Sequence, residues 1–137
     1  MNSIEFSPDG PHFDDYTIDL AAAYAETVRV LNHATMYRDG MSWPSTAYSV
    51  VGNLAAGAAG LRQLLDQIGV FLDREDAAGR LGDDRRRPTG DPATTLAAAH
   101  VHLTAARLAA AALSVALGEA HSALSSLYTR GVSGEGS

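Results

Sequence analysis

The sequence predicts an all-α fold, an elongated antiparallel bundle of three long helices with an N-terminal arm, completed by dimerisation. Three observations predict it. Apolar residues recur at alternating steps of three and four along three long segments, the spacing of one helix face. Proline and glycine punctuate the gaps between those segments. The last segment carries a two-position heptad over five repeats.

Residues 1–13 read as an arm. Pro8-Asp9-Gly10-Pro11 is turn chemistry. Ile4, Phe6 and Phe13 are apolar, so the arm is expected to dock rather than to act as a linker. The helical domain then spans 14–130, and 131–137 form a tail with no reason to be ordered.

The first helix is expected from Asp14 to Asp39. Asp14 or Asp15 can cap it, and Thr17, Leu20, Tyr24, Thr27, Leu31 and Ala34 form one face. Asp39-Gly40 supplies the stop. The second helix is expected from Pro44 or Ser45 to Ala78. Its apolar seam is Ala47, Val51, Leu54, Ala58, Leu61, Leu65, Ile68 and Leu72. Gly52, Gly57, Gly60 and Gly69 lie within it, each costing about 1 kcal/mol against alanine. Close approach of a neighbouring helix would offset that cost; a kink is the alternative reading.

Residues 79–90 form a polar loop. Asp91 and Pro92 then sit at the N-cap and first helical positions of a third helix, expected to reach Arg130. Leu96, Leu103, Ala110, Leu117 and Leu124 are seven apart, and so are Ala99, Ala106, Leu113, Ala120 and Leu127. A further apolar column, Val101, Leu108 and Val115, lies on another side, beside Ala105, Ala109, Ala112 and Ala116. A helix apolar on two sides is normally covered on two sides, and a symmetric homodimer is the commonest cover.

At 1.5 Å per residue the three helices would be about 39, 52 and 58 Å long. Matching these lengths leaves the end of the second helix near Val70, Phe71 and Leu72 uncovered by the first. Phe6 or Phe13 of the arm is expected to pack near Phe71.

Composition limits the chemistry. The 137 residues contain no cysteine, so disulfides, thiolate metal sites and cysteine nucleophiles are excluded. Net charge is −6 and every basic residue is arginine. An acidic chain without a basic face is a poor binder of duplex DNA. The N-terminal stretch lacks the basic start and apolar run of a secretory signal, and no stretch reads as a membrane span. The expectation is therefore a cytoplasmic protein without a membrane partner.

Nucleophile elbows, phosphate loops and dinucleotide fingerprints are not present in the sequence, so the chain is not expected to be an enzyme, and no cofactor is implied. His100, His102, Glu119 and His121 do not make a metal set. His100 and His102 lie about 200° apart around a helix, and the Glu-x-x-His pattern of carboxylate-bridged bundles is missing.

Four features remain as candidate interaction residues. His100, Arg107, Ser114, His121 and Tyr128 form a polar column at sevens flanking the apolar seam, where side chains select partner helices. Arg85, Arg86 and Arg87 are the one basic cluster, diluted by Asp83 and Asp84; they read as a solvated loop or as a contact for phosphate or an acidic partner. Trp43 sits in a tight loop, where it either closes one end of the bundle or is a hot spot for a partner. Tyr24, Tyr48 and His121 would line a cavity if the helices enclosed one.

The stretch from Pro44 to Leu54, then Leu61-Arg62-Gln63-Leu64-Leu65, and later Asp91-Pro92-Ala93 before an alanine- and leucine-rich helix, resembles small all-helical actinobacterial proteins. Some of these resemble accessory genes of mobile elements. The resemblance spans residues 44–128; it implies a helical bundle and carries over no functional residue. Three function classes follow from the residues: a non-enzymatic, self-associating interaction protein with a possible protein partner, a small-molecule sensor, and an accessory factor of a DNA-processing complex acting through Arg85, Arg86 and Arg87.

Overall fold

The structure, a computed structural model, describes residues 3–84 and 91–131. Among them are three helices and no strand: α1 (Asp14–Met36), α2 (Pro44–Ala77) and α3 (Pro92–Leu124). Residues 1–42 and 43–137 are two units, taken in turn.

In the first unit the arm is held by one tyrosine. The Tyr16 hydroxyl donates to the Glu5 carbonyl at 2.6 Å and accepts from the Ser7 amide at 3.2 Å. The His12 ring stacks on Tyr16 at 4.8 Å. Phe6 and Phe13 are 77% and 75% exposed. The arm's backbone groups thus find a partner in the first turn of its own helix.

Phe13 is the N-cap of α1, with no side-chain cap. Asp14 and Asp15 lie inside the first turn instead, where their charge favours the positive end of the helix dipole. The helix stops at Met36, three residues before the expected Asp39. Gly40 closes the following turn through its amide, which donates to the Tyr37 carbonyl at 3.1 Å. Its value is close approach: a Cβ there would lie 2.0 Å from the Ala34 carbonyl oxygen.

The second unit is an antiparallel helical hairpin of α2 on α3. Pro44 starts α2 at the first helical position, after Trp43 as N-cap. A Schellman motif ends α2. Gly79, at φ +71, donates to the Asp76 carbonyl at 2.9 Å, and Arg80 donates to the Glu75 carbonyl at 2.9 Å. The Arg80 guanidinium then clasps the Glu75 carboxylate at 2.5 and 3.2 Å. Asp91 caps α3 as expected, accepting from the Ala93 amide at 3.1 Å and the Thr94 hydroxyl at 2.9 Å. Thr95 binds Asp83 across the connection.

The third helix ends at Leu124, six residues before the expected Arg130. Ser125 and Ser126 bond back to the Ser122 and Ala123 carbonyls. Such local bonds compete with helix continuation, so Leu127 and Tyr128 fall outside the heptad that the sequence extended to them. By length and composition, Pro92–Leu124 is apolar enough to cross a membrane. The sequence reading required a run of about 18 apolar residues without charge, and Arg107 and Glu119 interrupt this helix; 6% of its most apolar window is buried.

The hairpin contains little core. Ala58 and Ala110, in the seam between the helices, are the two buried residues among those described. Small side chains here let the backbones approach, while Leu65, Leu72, Leu96, Leu103 and Leu117 are half-buried.

Candidate interaction surface

The contact between α2 and α3 divides the heptad in an unexpected place. On α3 the covered columns are Leu96, Leu103, Ala110, Leu117, Leu124 and His100, Arg107, Ser114, His121. The first was expected in the seam. The second was expected to flank it, yet each of its four members meets α2.

The pairs run in strict antiparallel register. His100 Nε2 donates to Asp73 Oδ1 at 2.6 Å. Arg107 Nη1 donates to Asp66 Oδ1 at 2.7 Å. The Ser114 hydroxyl donates to the Ala55 carbonyl at 3.3 Å. The His121 ring stacks on Tyr48 at 3.9 Å with an interplanar angle of 16°. Gly52 makes room for that ring: a Cβ there would lie 2.7 Å from His121 Nε2. Gly69 faces His100 at an ordinary contact distance. Close approach therefore explains one of the four glycines of α2, Gly52. At Gly57 and Gly60 a Cβ would meet nothing within 4 Å.

These polar pairs lie at the edge of the seam and remain partly in water. Exposed ion pairs contribute about 0–1 kcal/mol each, so this zipper fixes register more than it stabilises. Asp66 and Asp73 escaped the sequence reading. Their seven-residue spacing on α2 mirrors that of His100 and Arg107 on α3, and is the signal that could have found them.

The apolar columns next to the seam are open. Viewed at 3.5 residues per turn, Leu54, Leu61 and Ile68 with Val50, Gly57, Leu64 and Phe71 share one side of α2. Ala99, Ala106, Leu113 and Ala120 lie on the same side of α3. Leu54, Leu64, Ile68, Phe71 and Leu113 are exposed, Leu64 and Phe71 at 48% and 50%. Half of each predicted seam thus faces this groove rather than the neighbouring helix. The zipper borders the other side of the hairpin, where Arg62, Gln63, Asp66, Arg107 and Leu108 line an open cleft. Val101, Leu108 and Val115 are exposed there as well.

The other sequence candidates separate. Tyr128 is beyond α3 and 69% exposed, outside the zipper. Trp43 is exposed at the start of α2, where its carbonyl accepts from the Thr46 and Ala47 amides. Arg85, Arg86 and Arg87 lie outside the described residues. Tyr48 and His121 stack on each other between α2 and α3, and Tyr24 of α1 is exposed. His102 is exposed and diverges from His100.

No protein-family model, no curated protein and no solved structure matches this chain.

Proposed function

We propose that this chain is a non-enzymatic, self-associating helical interaction protein that works in the cytoplasm, its hairpin forming part of an elongated bundle that a second copy completes. One observation carries the reading: the apolar halves of both heptads line one open groove of the α2–α3 hairpin. A helix apolar on several sides is stable in water only when those sides are covered. The α3 helix has a single charge outside the zipper, Glu119, so solvent alone is a poor environment for it.

The same charge pattern favours a protein over a bilayer as cover. A membrane-inserted α3 would bring along Asp66, Asp73 and Arg62 of the helix packed against it, each costly in hydrocarbon.

Sedimentation equilibrium across a wide concentration range tests the proposal. The expected mass at high concentration is twice the chain mass of 14.3 kDa. A single species of one chain mass at every concentration would count against it.

A further inference from the structure

The open groove has an internal symmetry that names its occupant. Along α2 it presents Val50, Leu54, Gly57, Leu61, Leu64, Ile68 and Phe71. Reversing that order about Leu61 sets Phe71 against Val50, Ile68 against Leu54, and Leu64 against Gly57. The complementary pair is Leu64 and Gly57, where a side chain lies opposite an open space. An isologous interface needs this self-complementarity, because each patch must fit its own copy reversed. On α3, Ala106 and Ala109 lie on the groove side, small enough for a second pair of helices to close.

Charge points the same way. The columns lining the groove hold no charged residue from Val50 to Phe71 on α2, or from Ala99 to Ala120 on α3. A charged partner finds nothing there to pair with, whereas a second groove is equally neutral. The face has apolar surface to bury: Leu54, Leu64, Ile68, Phe71 and Leu113 are all exposed on it, Phe71 at 50%. The opposite side of the hairpin is less suited, since Arg62, Asp66, Asp73 and Arg107 border Leu108 there.

Resting on the self-association proposed above, the geometry points to a two-fold dimer in which α2 packs antiparallel on α2 of a second copy, centred at Leu61, giving a four-helix bundle of two hairpins. Gly57 is the socket for the partner's copy of Leu64, which accounts for a glycine that nothing within the protomer requires.

Single-cysteine variants of the full-length, cysteine-free chain test the face directly. Under mild oxidation Leu61→Cys is expected to yield a covalent dimer, because residue 61 meets its own copy, and Leu108→Cys is not. Cross-linking through Leu108→Cys but not Leu61→Cys would overturn the geometry while self-association stood. A monomer throughout in light scattering would overturn both. Gly57→Leu supplies an independent readout. It is expected to weaken dimerisation at least tenfold with helix content undiminished by circular dichroism, since its side chain enters open space within the protomer. Unchanged dimerisation in Gly57→Leu would contradict the assignment of the socket.

Discussion

Two glycines on one helix have opposite reasons to exist. Gly52 lies under the His121 ring, and a methyl group there collides with it. Gly60 faces open space, and the columns of the proposed dimer do not include it. Gly60→Ala should therefore stabilise the hairpin by about 1 kcal/mol, the helix-propensity difference. Gly52→Ala should not gain that increment, because it displaces the stacked His121 from Tyr48. Thermal unfolding of both variants checks the contrast, and equal stabilisation would refute it. A second expectation at this scale concerns Glu75. The hydrogen bond from Arg80 is the main cause that holds its carboxyl below the ordinary glutamate value, with desolvation opposing and the Arg80 charge assisting. A depressed folded pKa contributes stability above the unfolded value and loses it as pH falls through the folded one. The helix-ending clasp should thus hold at pH values where a peptide glutamate is already being protonated, and loosen only as pH falls further. A carboxyl titration by nuclear magnetic resonance should place the Glu75 midpoint below that of a peptide glutamate.

At the scale of the element, caps and register decide where helices begin, end and pair. Asp91 satisfies the Ala93 amide and the Thr94 hydroxyl at the start of α3, so Asp91→Ala should cost about 1 kcal/mol. Gly79 ends α2 in the left-handed region, and Gly79→Ala should cost about 1 kcal/mol for the strained backbone. Charge exchange tests the zipper. Asp66→Arg and Arg107→Asp should each be worse than the double exchange, with a coupling of about 0.2–1 kcal/mol by chemical denaturation. Much at this scale was legible in the sequence. Pro44, the Asp91-Pro92 pair and the heptads located α2 and α3, because such signals are local. The direction of each seam was not legible. A heptad pattern reports where apolar surface lies, and the largest apolar sector of these helices bisects two neighbours, one of which is the groove. The polar column therefore reads from sequence as flanking the contact, whereas in the structure it forms the contact's edge and bonds across it. The ends of α1 and α3 were overrun for a related reason: serine back-bonding and a tight Gly40 turn stop a helix without interrupting its apolar period.

At the scale of the whole molecule, the described residues include two buried alanines and no large buried side chain. Stability in water rests mainly on apolar burial, so a chain with this surface should gain much of its stability from association. Its unfolding temperature should therefore rise with protein concentration, and Gly57→Leu should flatten that dependence. The central claim is that a second copy covers the groove of the hairpin. Hydroxyl-radical footprinting at low and high protein concentration tests it most directly, by reading modification at Leu64 and Phe71 against Val101 and Leu108 on the opposite side. The account predicts protection of Leu64 and Phe71 on concentrating the protein, with Val101 and Leu108 unchanged. Equal modification of Leu64 and Phe71 at both concentrations would contradict it.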